Sequence, residues 1–316
     1  MMAAMNPRSR LWARLAGAGA ALALALFGLN LYGLGQTLRS PLVAQAPADF
    51  SHDRIVAPDE AWARLAELDI SDRRGFALRA SEIIGQSMKH LRYGGEDFED
   101  RLYGAYHLTV PAWENYFLYL FRFLKPDTYK SYELSGYRRA LERGIGQCGQ
   151  QAMTVIGFLE DHGFETGFIQ LTGHVVATAE VATGEWYVLD PDYGVSIPHS
   201  LGELENDRAL VERYYGRFLD RNPWRVYGEN PNSVAYGGPG LRYPRGSVIE
   251  EIAYVAKWAF PAACSRSRRS RCWPQAEPSG AAANVPRPRM GGPNRKPDRV
   301  ALRGRLGRHP EHRAAP

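Results

Sequence analysis

The first feature of the hydrophobic pattern is a long apolar run near the start of the chain. It extends from Leu15 to Gly35 and contains only Asn30 as a strongly polar residue. As a helix, these 21 residues are long enough to cross about 30 Å of hydrocarbon. The pattern therefore predicts a transmembrane helix over 15–35.

Between residues 55 and 143 the apolar positions recur at helical spacing, which predicts an N-terminal helical region. The clearest members of this pattern are Phe76, Ile83, Ile84, Met88 and Leu91. A very apolar stretch then opens at Pro111 and ends before Pro126. Because this stretch is apolar on all sides, we expect a buried helix there.

Between 144 and 195 the pattern changes to a helix followed by strands. Four apolar residues at i, i+3, i+4 and i+7 predict a helix with one buried face, namely Ala152, Val155, Ile156 and Leu159. Gly163 can end this helix in the left-handed conformation. Three β-rich runs follow at 168–171, 174–181 and 186–189. The fold class predicted is α+β, with this helix packed on an antiparallel sheet.

The pattern weakens after the strands. Ser200 and Glu203 have the spacing of a capping box, which predicts a helix that runs towards Leu219. Residues 220–246 are rich in Asn, Pro and Gly, and we expect an irregular surface wrap or a loop there. Residues 247–264 form a short apolar segment, either an amphipathic helix or part of a second membrane segment, and are too short to span a membrane.

Charge separates the body of the chain from its two ends. The 316 residues carry a formal net charge of +5, but residues 265–316 alone hold 13 Lys+Arg against three Asp+Glu. Residues 40–264 hold 22 basic and 31 acidic residues. No charge argument for a nucleic-acid partner remains, and we expect none.

The basic C-terminal segment, 265–316, has few periodic apolar residues. It cannot bury enough surface to fold alone, so we expect a disordered tail. A phosphate- or headgroup-binding arm is one interpretation of its charge. A solvated tail, or an out-of-frame extension of the reading frame, is the simpler one.

The arginines at the start of the chain predict its orientation in the membrane. Arg8, Arg10 and Arg14 precede the apolar run and no comparable cluster follows it directly. By the positive-inside rule, residues 1–14 lie in the cytoplasm, and a linker over 36–54 leads to a body in the periplasm or cell exterior. We expect a single-pass protein of the inner (cytoplasmic) membrane.

The competing interpretation of this run is a signal peptide cleaved after Ala44-Gln45-Ala46. We favour the uncleaved anchor for two reasons. The apolar run is longer than a signal core, and Pro47 would directly follow the cut.

Three cysteines, Cys148, Cys264 and Cys272, limit the chemistry of the chain. They are too few for a disulfide framework, and Cys148 has no second cysteine near it at zinc-ligand spacing. We expect no metal and no cofactor. The string Gly144-Ile-Gly146-Gln-Cys-Gly149 fits a dinucleotide fingerprint, but no strand pattern precedes it, so we reject that interpretation.

Cys148, His174 and Asp190 form the candidate catalytic triad. A thiol at a helix N-terminus lies at the positive end of the helix dipole, which favours the nucleophilic thiolate. His174 begins one predicted strand and Asp190 ends the next. A three-residue loop over 182–184 would place both on one face of the hairpin, whereas a two-residue loop would place them on opposite faces. The alternatives are a small buried cysteine, a core histidine and a strand-ending turn.

These residues resemble the transglutaminase-like superfamily. The resemblance covers about 50 residues and rests on Gly146-Gln-Cys148-Gly-Gln-Gln-Ala152, Gly173-His174-Val-Val-Ala177 and Trp186-Tyr-Val-Leu-Asp190-Pro191. It implies a papain-like catalytic core over 144–246 and the roles of nucleophile, base and orienting carboxylate for the triad. It is also similar to membrane-anchored members of the bacterial envelope, some of which accompany polysaccharide or biofilm systems. Nothing in the sequence marks an oxyanion partner beyond the Cys148 backbone N–H.

The sequence thus predicts a thiol-dependent acyl-transfer enzyme that acts on a protein or peptide amide. Hydrolysis as a peptidase or amidase is favoured, because an amine acceptor would need a dry tunnel of which the sequence gives no sign. The alternatives are a protein-crosslinking transglutaminase and a non-catalytic envelope scaffold or binding protein. The partners expected are the substrate and the lipid bilayer, and an envelope or polysaccharide-system partner stays open.

Two further polar positions are weaker candidates. Glu114-Asn115 could line a pocket or make helix-face hydrogen bonds. Asp192 lies on the His174 face by strand parity, where it could tune the histidine, bind a cation or only stabilise the turn.

Overall fold

The computed structural model describes residues 7–45, 55–93, 98–221, 223–228, 232–236 and 244–266. Its α-helices are α1 (Pro7–Gly33), α2 (Pro58–Ala66), α3 (Arg73–Ser87), α4 (Asp100–Ala105), α5 (Ala112–Leu124), α6 (Pro126–Tyr129), α7 (Tyr137–Arg143), α8 (Cys148–Asp161), α9 (Leu201–Asn206), α10 (Arg208–Tyr214), α11 (Pro223–Tyr227) and α12 (Pro244–Arg266). Its strands are β1 (Lys89–His90), β2 (Ile145–Gly146), β3 (Thr166–Leu171), β4 (His174–Ala182), β5 (Glu185–Asp190), β6 (Val195–Ile197) and β7 (Ser233–Tyr236). Short 3₁₀ helices cover Pro41–Gln45 and Gly216–Arg221.

Five of the strands form one antiparallel sheet in the order β6-β5-β4-β3-β7. β1 and β2 pair separately and in parallel, with Lys89 opposite Ile145 and His90 opposite Gly146. The mixed helical and antiparallel architecture confirms the α+β prediction.

α8 packs on one face of this sheet, as its apolar spacing predicts. Ala152, Val155, Ile156 and Leu159 are all buried, together with α3 and the inward side chains of β4 and β5. Each such side chain contributes about 1.5–3 kcal/mol when it leaves water, Ala less. Gly163 ends α8 with a φ of +74°, the left-handed conformation predicted for it.

α9, α10 and α11 cover the other face of the sheet. Their buried residues Leu204, Val211 and Tyr227 pack on Val176 and Val188. α9 begins with the predicted capping box, in which the Ser200 hydroxyl accepts from the Glu203 backbone N–H and the Glu203 carboxylate accepts from the Ser200 backbone N–H. The predicted continuous helix towards Leu219 is wrong, because Asp207 caps a separate helix and breaks the run.

Within the described residues, the predicted irregular segment 220–246 contains α11, β7 and the start of α12. α11 lies on the sheet, and β7 pairs with β3 over Gly167 to Gln170, so it extends the sheet by one edge strand. β7 has only four residues and no clear alternation of apolar and polar side chains, so the sequence pattern did not predict it.

α5 corrects the prediction of a fully buried helix. Leu120, Phe123 and Leu124 are 52%, 64% and 76% exposed. The helix is also interrupted at Asn115, whose side-chain oxygen accepts hydrogen bonds from the backbone N–H groups of Phe117 and Leu118. Asn115 therefore acts as a cap.

α1 agrees with the predicted apolar helix. Within the described residues, it is the one helix long and apolar enough to cross a membrane, over Leu11–Gly33. The segment that follows is tied to the body through Arg39, whose guanidinium donates to the carbonyls of Val56, Ser87 and Leu141. Residues 46–54 of the predicted linker and the predicted tail from 267 onward lie outside the described residues.

Candidate active site

Cys148 is the first residue of α8, as the sequence predicts. The chain reaches it from α7 through Gly144, which takes a φ of +67°, and through the short strand β2. Gly146 is required at this bend, because a Cβ there would lie 2.6 Å from the Cβ of Gln150. No side chain caps α8 and no acidic residue occupies its first turn. The helix N-terminus therefore presents unpaired N–H groups and partial positive charge to the thiol.

The β4–β5 hairpin places His174 and Asp190 on one face, but not through the predicted loop. Ala182 pairs with Glu185, so the loop has two residues, Thr183 and Gly184. A β-bulge between Glu180 and Ala182 then shifts the register, and Glu180 pairs with Trp186. The extra residue of the bulge restores the alternation that a two-residue loop would have reversed. The predicted three-residue loop is wrong, and the predicted facing of the two side chains is right.

His174 and Asp190 form a direct hydrogen bond. The Nε2 of His174 lies 2.9 Å from the Oδ2 of Asp190, which is fully buried. This contact leaves Nδ1 on the other side of the ring, which faces Asp192, and the thiol sulfur of Cys148 lies within 4.8 Å of a donor atom of each of these two residues. Thiol, imidazole and carboxylate thus follow one another in the order that proton transfer from the thiol requires.

The charges around His174 favour its protonated form. Burial alone would lower the pKa of His174, but the Asp190 carboxylate, the Cys148 contact and the Asp192 carboxylate together raise the pKa well above its usual value. A protonated imidazole beside a thiol at a helix N-terminus is an environment that stabilises a thiolate.

Asp190 is held by groups from three parts of the chain. Besides His174, it accepts hydrogen bonds from the Tyr193 backbone N–H at 3.2 Å and from the Tyr215 hydroxyl at 2.6 Å. The Tyr215 hydroxyl lies 2.8 Å from that of Tyr227. Burial and the nearby Asp190 charge raise the pKa of Tyr215 far above its usual value, so it stays a hydroxyl donor.

An aromatic cage fixes the histidine ring. Tyr193 meets the His174 ring edge to face, with centroids 5.1 Å apart, and Phe218 packs on Tyr193 at 4.8 Å. Sequence reasoning missed Tyr193, Tyr215 and Tyr227. The last two lie 25 and 37 residues beyond Asp190 in segments without a periodic pattern, so no local signal could have identified them.

A second carboxylate, Asp192, lies on the Nδ1 side of His174. Its Oδ1 accepts a hydrogen bond from the Gln151 side-chain amide at 2.6 Å and lies 2.7 Å from His90 Nδ1. Its Oδ2 is 4.0 Å from His174 Nδ1. The parity argument placed Asp192 on this face correctly. His90 was missed, because β1 reaches the site through its parallel pairing with β2. Gln151 stands in the motif after Cys148, but its contact with Asp192 was not predicted.

Donor atoms of Cys148, His174 and Asp192 all lie within 4.8 Å of one another. Thiolate, imidazole and carboxylate are donor types that Zn²⁺ takes. These three residues are therefore the ones that could hold a metal ion within the part of the chain that the structure describes.

The turn after Asp190 is packed against α3. A Cβ on Gly85 would lie 2.4 Å from the carbonyl oxygen of Pro191, so only glycine lets the helix approach this closely. The close contact holds the Asp190-Pro191 turn, and the carboxylate with it, against the body.

Comparison of the chain with protein-family models, with curated proteins and with solved structures gives no match. The resemblance to the transglutaminase-like superfamily therefore rests on the motif residues and on the triad-like arrangement of Cys148, His174 and the neighbouring carboxylates.

Proposed function

We propose that the protein is a thiol-dependent acyl-transfer enzyme of the transglutaminase-like type, with Cys148 as nucleophile, His174 as general base and Asp190 as the carboxylate that orients the imidazole. The hydrogen bond between His174 Nε2 and Asp190 carries this proposal, because it leaves the other ring nitrogen for the Cys148 thiol, which begins a helix and lies within 4.8 Å of a His174 donor atom. A core histidine without a reactive partner would not need that orientation.

The proposed reaction begins with transfer of the Cys148 proton to His174 Nδ1. The thiolate attacks the carbonyl carbon of an amide, and the charge that develops on the oxygen is stabilised by N–H groups at the start of α8, including that of Cys148. His174 then gives its proton to the departing amine, which leaves an acyl group on the sulfur.

In the second half of the reaction, an acceptor attacks the acyl carbon and passes a proton to His174. The bond between the carbon and the Cys148 sulfur breaks, and His174 returns the proton to the departing thiolate. Water as acceptor releases a carboxylic acid and makes the enzyme a peptidase or amidase. A substrate amine as acceptor forms a new amide and makes it a transglutaminase. We favour hydrolysis, because an amine acceptor would have to be protected from water in a dry tunnel, of which the sequence gives no sign.

We also propose that α1 anchors the body at the outer face of the bacterial cytoplasmic membrane. The support is its length and apolarity over Leu11–Gly33 and the arginines Arg8, Arg10 and Arg14 at its start. The substrate would then be a protein or peptide of the envelope.

The experiment that tests the proposal is trapping of the acyl-enzyme. Full-length protein with Cys264→Ser and Cys272→Ser is treated with p-nitrophenyl acetate, and the acetylated peptide is located by mass spectrometry. We expect a burst of one nitrophenol per chain and an acetyl group on Cys148. The burst should be absent in Cys148→Ala and at least tenfold slower in His174→Ala. Acetylation spread over surface lysines, with no burst that depends on Cys148, would contradict the proposal.

A labelled primary amine separates the two acceptors. Incorporation of the amine into envelope proteins, lost in Cys148→Ala, would identify a transglutaminase and contradict the preference for water. If a growth or matrix phenotype follows deletion of the gene but not Cys148→Ala, the scaffold alternative is correct.

A further inference from the structure

One oxygen of Asp192 is buried beside the thiol and the imidazole without a hydrogen-bond donor. No donor among the described residues reaches its Oδ2, and the side chain is 1% exposed. His174 Nδ1 lies 4.0 Å away, which is too far to donate a hydrogen bond. Buried carboxylate oxygens are costly without a donor or a cation. The catalytic roles proposed for Cys148, His174 and Asp190 do not explain this oxygen.

The atoms around Asp192 Oδ2 form a set of metal donors. A donor atom each from Cys148, His174 and Asp192 lies within 4.8 Å of the other two. A tetrahedral Zn²⁺ site, with bonds of about 2.0–2.3 Å, separates its donors by about 3.3–3.6 Å. The three side chains therefore have to approach one another by roughly 1 Å or less to close around the ion, which small side-chain rotations provide.

His174 is oriented as a metal ligand as well as a base. Its Nε2 faces the Asp190 carboxylate at 2.9 Å, so a neutral ring carries its proton there and keeps a lone pair on Nδ1. Histidines that bind metal ions almost always donate their other ring N–H to such a group, often a carboxylate. The arrangement that makes Nδ1 available to the thiol proton thus makes it equally available to a cation.

Asp192 has the matching support on its other oxygen. Its Oδ1 accepts from the Gln151 amide at 2.6 Å and lies 2.7 Å from His90 Nδ1. Two partners on one oxygen fix the carboxylate and leave the second oxygen free, as in a carboxylate that binds a metal ion through one atom. The proposed acyl transfer needs neither His90 nor Gln151, so these contacts favour a further role for Asp192.

The donor types and charges select the ion. A thiolate and a carboxylate carry two negative charges in a nearly buried site, and a divalent cation cancels both. Sulfur and nitrogen donors favour Zn²⁺, whereas Ca²⁺ requires about six to eight oxygen ligands. Cys148 is partly exposed, so an ion can reach the site from solvent. Three protein ligands leave the fourth position of a tetrahedral ion to water.

We propose that Cys148, His174 and Asp192 bind a Zn²⁺ ion that inhibits the enzyme. Coordination occupies the sulfur that attacks the substrate and the nitrogen that takes its proton, and the one proton that thiol and imidazole share leaves to solvent. The binding site stands on the three donors, and the inhibition rests on the proposed function. This inference replaces the sequence-based expectation that the protein holds no metal.

Cobalt binding tests the site without reference to activity. Full-length protein with Cys264→Ser and Cys272→Ser is freed of metal by a chelator and titrated with Co²⁺, whose thiolate charge-transfer absorption reports a cobalt–sulfur bond. We expect one Co²⁺ per chain, displaced by Zn²⁺, and no such absorption in Cys148→Ala. Affinity should fall at least tenfold in Asp192→Asn and by about 10- to 100-fold in His90→Ala, which removes a partner of the ligand.

The matched control is His199→Ala, because His199 also lies near a carboxylate, that of Glu203 on α9, but on the protein surface. We expect its Co²⁺ affinity to be unchanged. No charge-transfer absorption in the parent protein, or equal affinity in Asp192→Asn and His199→Ala, would overturn the site.

Zinc protection of Cys148 tests the inhibition. At free Zn²⁺ ten times the dissociation constant, about one site in eleven is empty, so iodoacetamide labelling and the nitrophenol burst should both slow about tenfold. The same concentration of Ca²⁺ should change neither rate. Unchanged labelling in Zn²⁺, or a burst that Zn²⁺ accelerates, would overturn the inhibition.

The two assays separate this inference from the proposed function. If Co²⁺ binds through Cys148 but the metal-free protein gives no burst, the metal site stands and the proposed function is wrong. If the metal-free protein gives the burst but Co²⁺ does not bind at Cys148, the function stands and the metal site is overturned.

Discussion

Replacement of Asp190 by asparagine tests the electrostatic role proposed for this carboxylate. Asp190→Asn keeps the size of the side chain and one oxygen acceptor but removes the negative charge 2.9 Å from His174 Nε2. Burial lowers the pKa of His174, and the Asp190 carboxylate, together with Cys148 and Asp192, raises it by more. Without the charge, the pKa of His174 should fall, and less positive charge remains beside the thiol.

The size of the effect follows from Coulomb's law. Two unit charges about 4 Å apart interact by about 4 kcal/mol at an effective dielectric constant near 20. Part of this lost interaction energy is offset, because a neutral His174 costs less free energy to bury than a protonated one. Since 1.4 kcal/mol corresponds to a factor of ten, we expect the reactivity of Cys148 at pH 6.5 to fall by roughly ten- to a hundredfold.

The assay is the rate of iodoacetamide alkylation at pH 6.5, followed on the peptide that contains Cys148 in full-length protein. Asp192→Asn is the matched control, because Asp192 is equally buried but lies 4.0 Å from the ring and makes no hydrogen bond to it. We expect a smaller loss than in Asp190→Asn, because Asp192 makes no hydrogen bond to the His174 ring and its Oδ1 is already paired with His90 and Gln151. A normal rate in Asp190→Asn with an unchanged melting temperature, or an equal loss in both variants, would refute this reasoning.

Two further predictions concern stability. Gly85→Ala should destabilise the protein by about 1–3 kcal/mol, because the added Cβ would lie 2.4 Å from the Pro191 carbonyl oxygen, whereas Gly104→Ala, with nothing within 4 Å, should be neutral or stabilising in denaturant titrations. Ser200→Ala should cost about 1 kcal/mol through loss of the α9 cap. Hydrogen bonds from the Ser200 backbone and hydroxyl lower the pKa of Glu203 to about 2, so the contribution of this cap is present above the unfolded value of about 4.3 and is lost as the pH falls towards 2. The difference between the melting temperatures of wild type and Ser200→Ala should therefore shrink in acid by the share that the hydroxyl–carboxylate bond contributes, while the share from the Glu203 N–H to the hydroxyl remains. A constant difference from pH 7 to pH 2 would contradict this.

Local patterns in the sequence predicted the elements that carry the triad. The spacing of Ala152 to Leu159 identified the buried face of α8, and the helix start at Cys148 followed from it. The β-rich runs identified β3, β4 and β5 to within two residues at each end. These elements are predictable because each buries one face against neighbours close in sequence.

The hairpin shows where local reasoning fails. The facing of His174 and Asp190 was argued from a three-residue loop, and the chain reaches the same facing with a two-residue loop and a bulge. A bulge is stabilised by contacts of the whole sheet and leaves no signature in Glu180 to Ala182 themselves. The facing of His174 and Asp190 could therefore be predicted from the requirements of a catalytic triad, but not from the sequence of the turn.

The groups around the triad could not be predicted, because the tertiary fold alone brings them together. Tyr215, at the C-terminal end of α10, donates to Asp190, and Tyr227 of α11 lies against the Tyr215 hydroxyl. Both come from the face of the sheet opposite α8. His90 reaches Asp192 through a parallel pair of two-residue strands. The exposure of Leu120, Phe123 and Leu124 on α5 was also missed. A helix that is apolar on all sides predicts burial, and the local sequence does not show which side the rest of the fold leaves uncovered.

The central claim is that His174 activates Cys148, and the pH dependence of alkylation tests it most directly. The measurement uses full-length protein with Cys264→Ser and Cys272→Ser, with and without His174→Ala, and follows iodoacetamide labelling from pH 4 to pH 10. We predict that Cys148 is labelled at least tenfold faster at pH 6.5 in the protein with His174 than in His174→Ala, because the imidazole takes the thiol proton. Equal labelling rates in the two proteins over the whole range would contradict the claim and favour the scaffold.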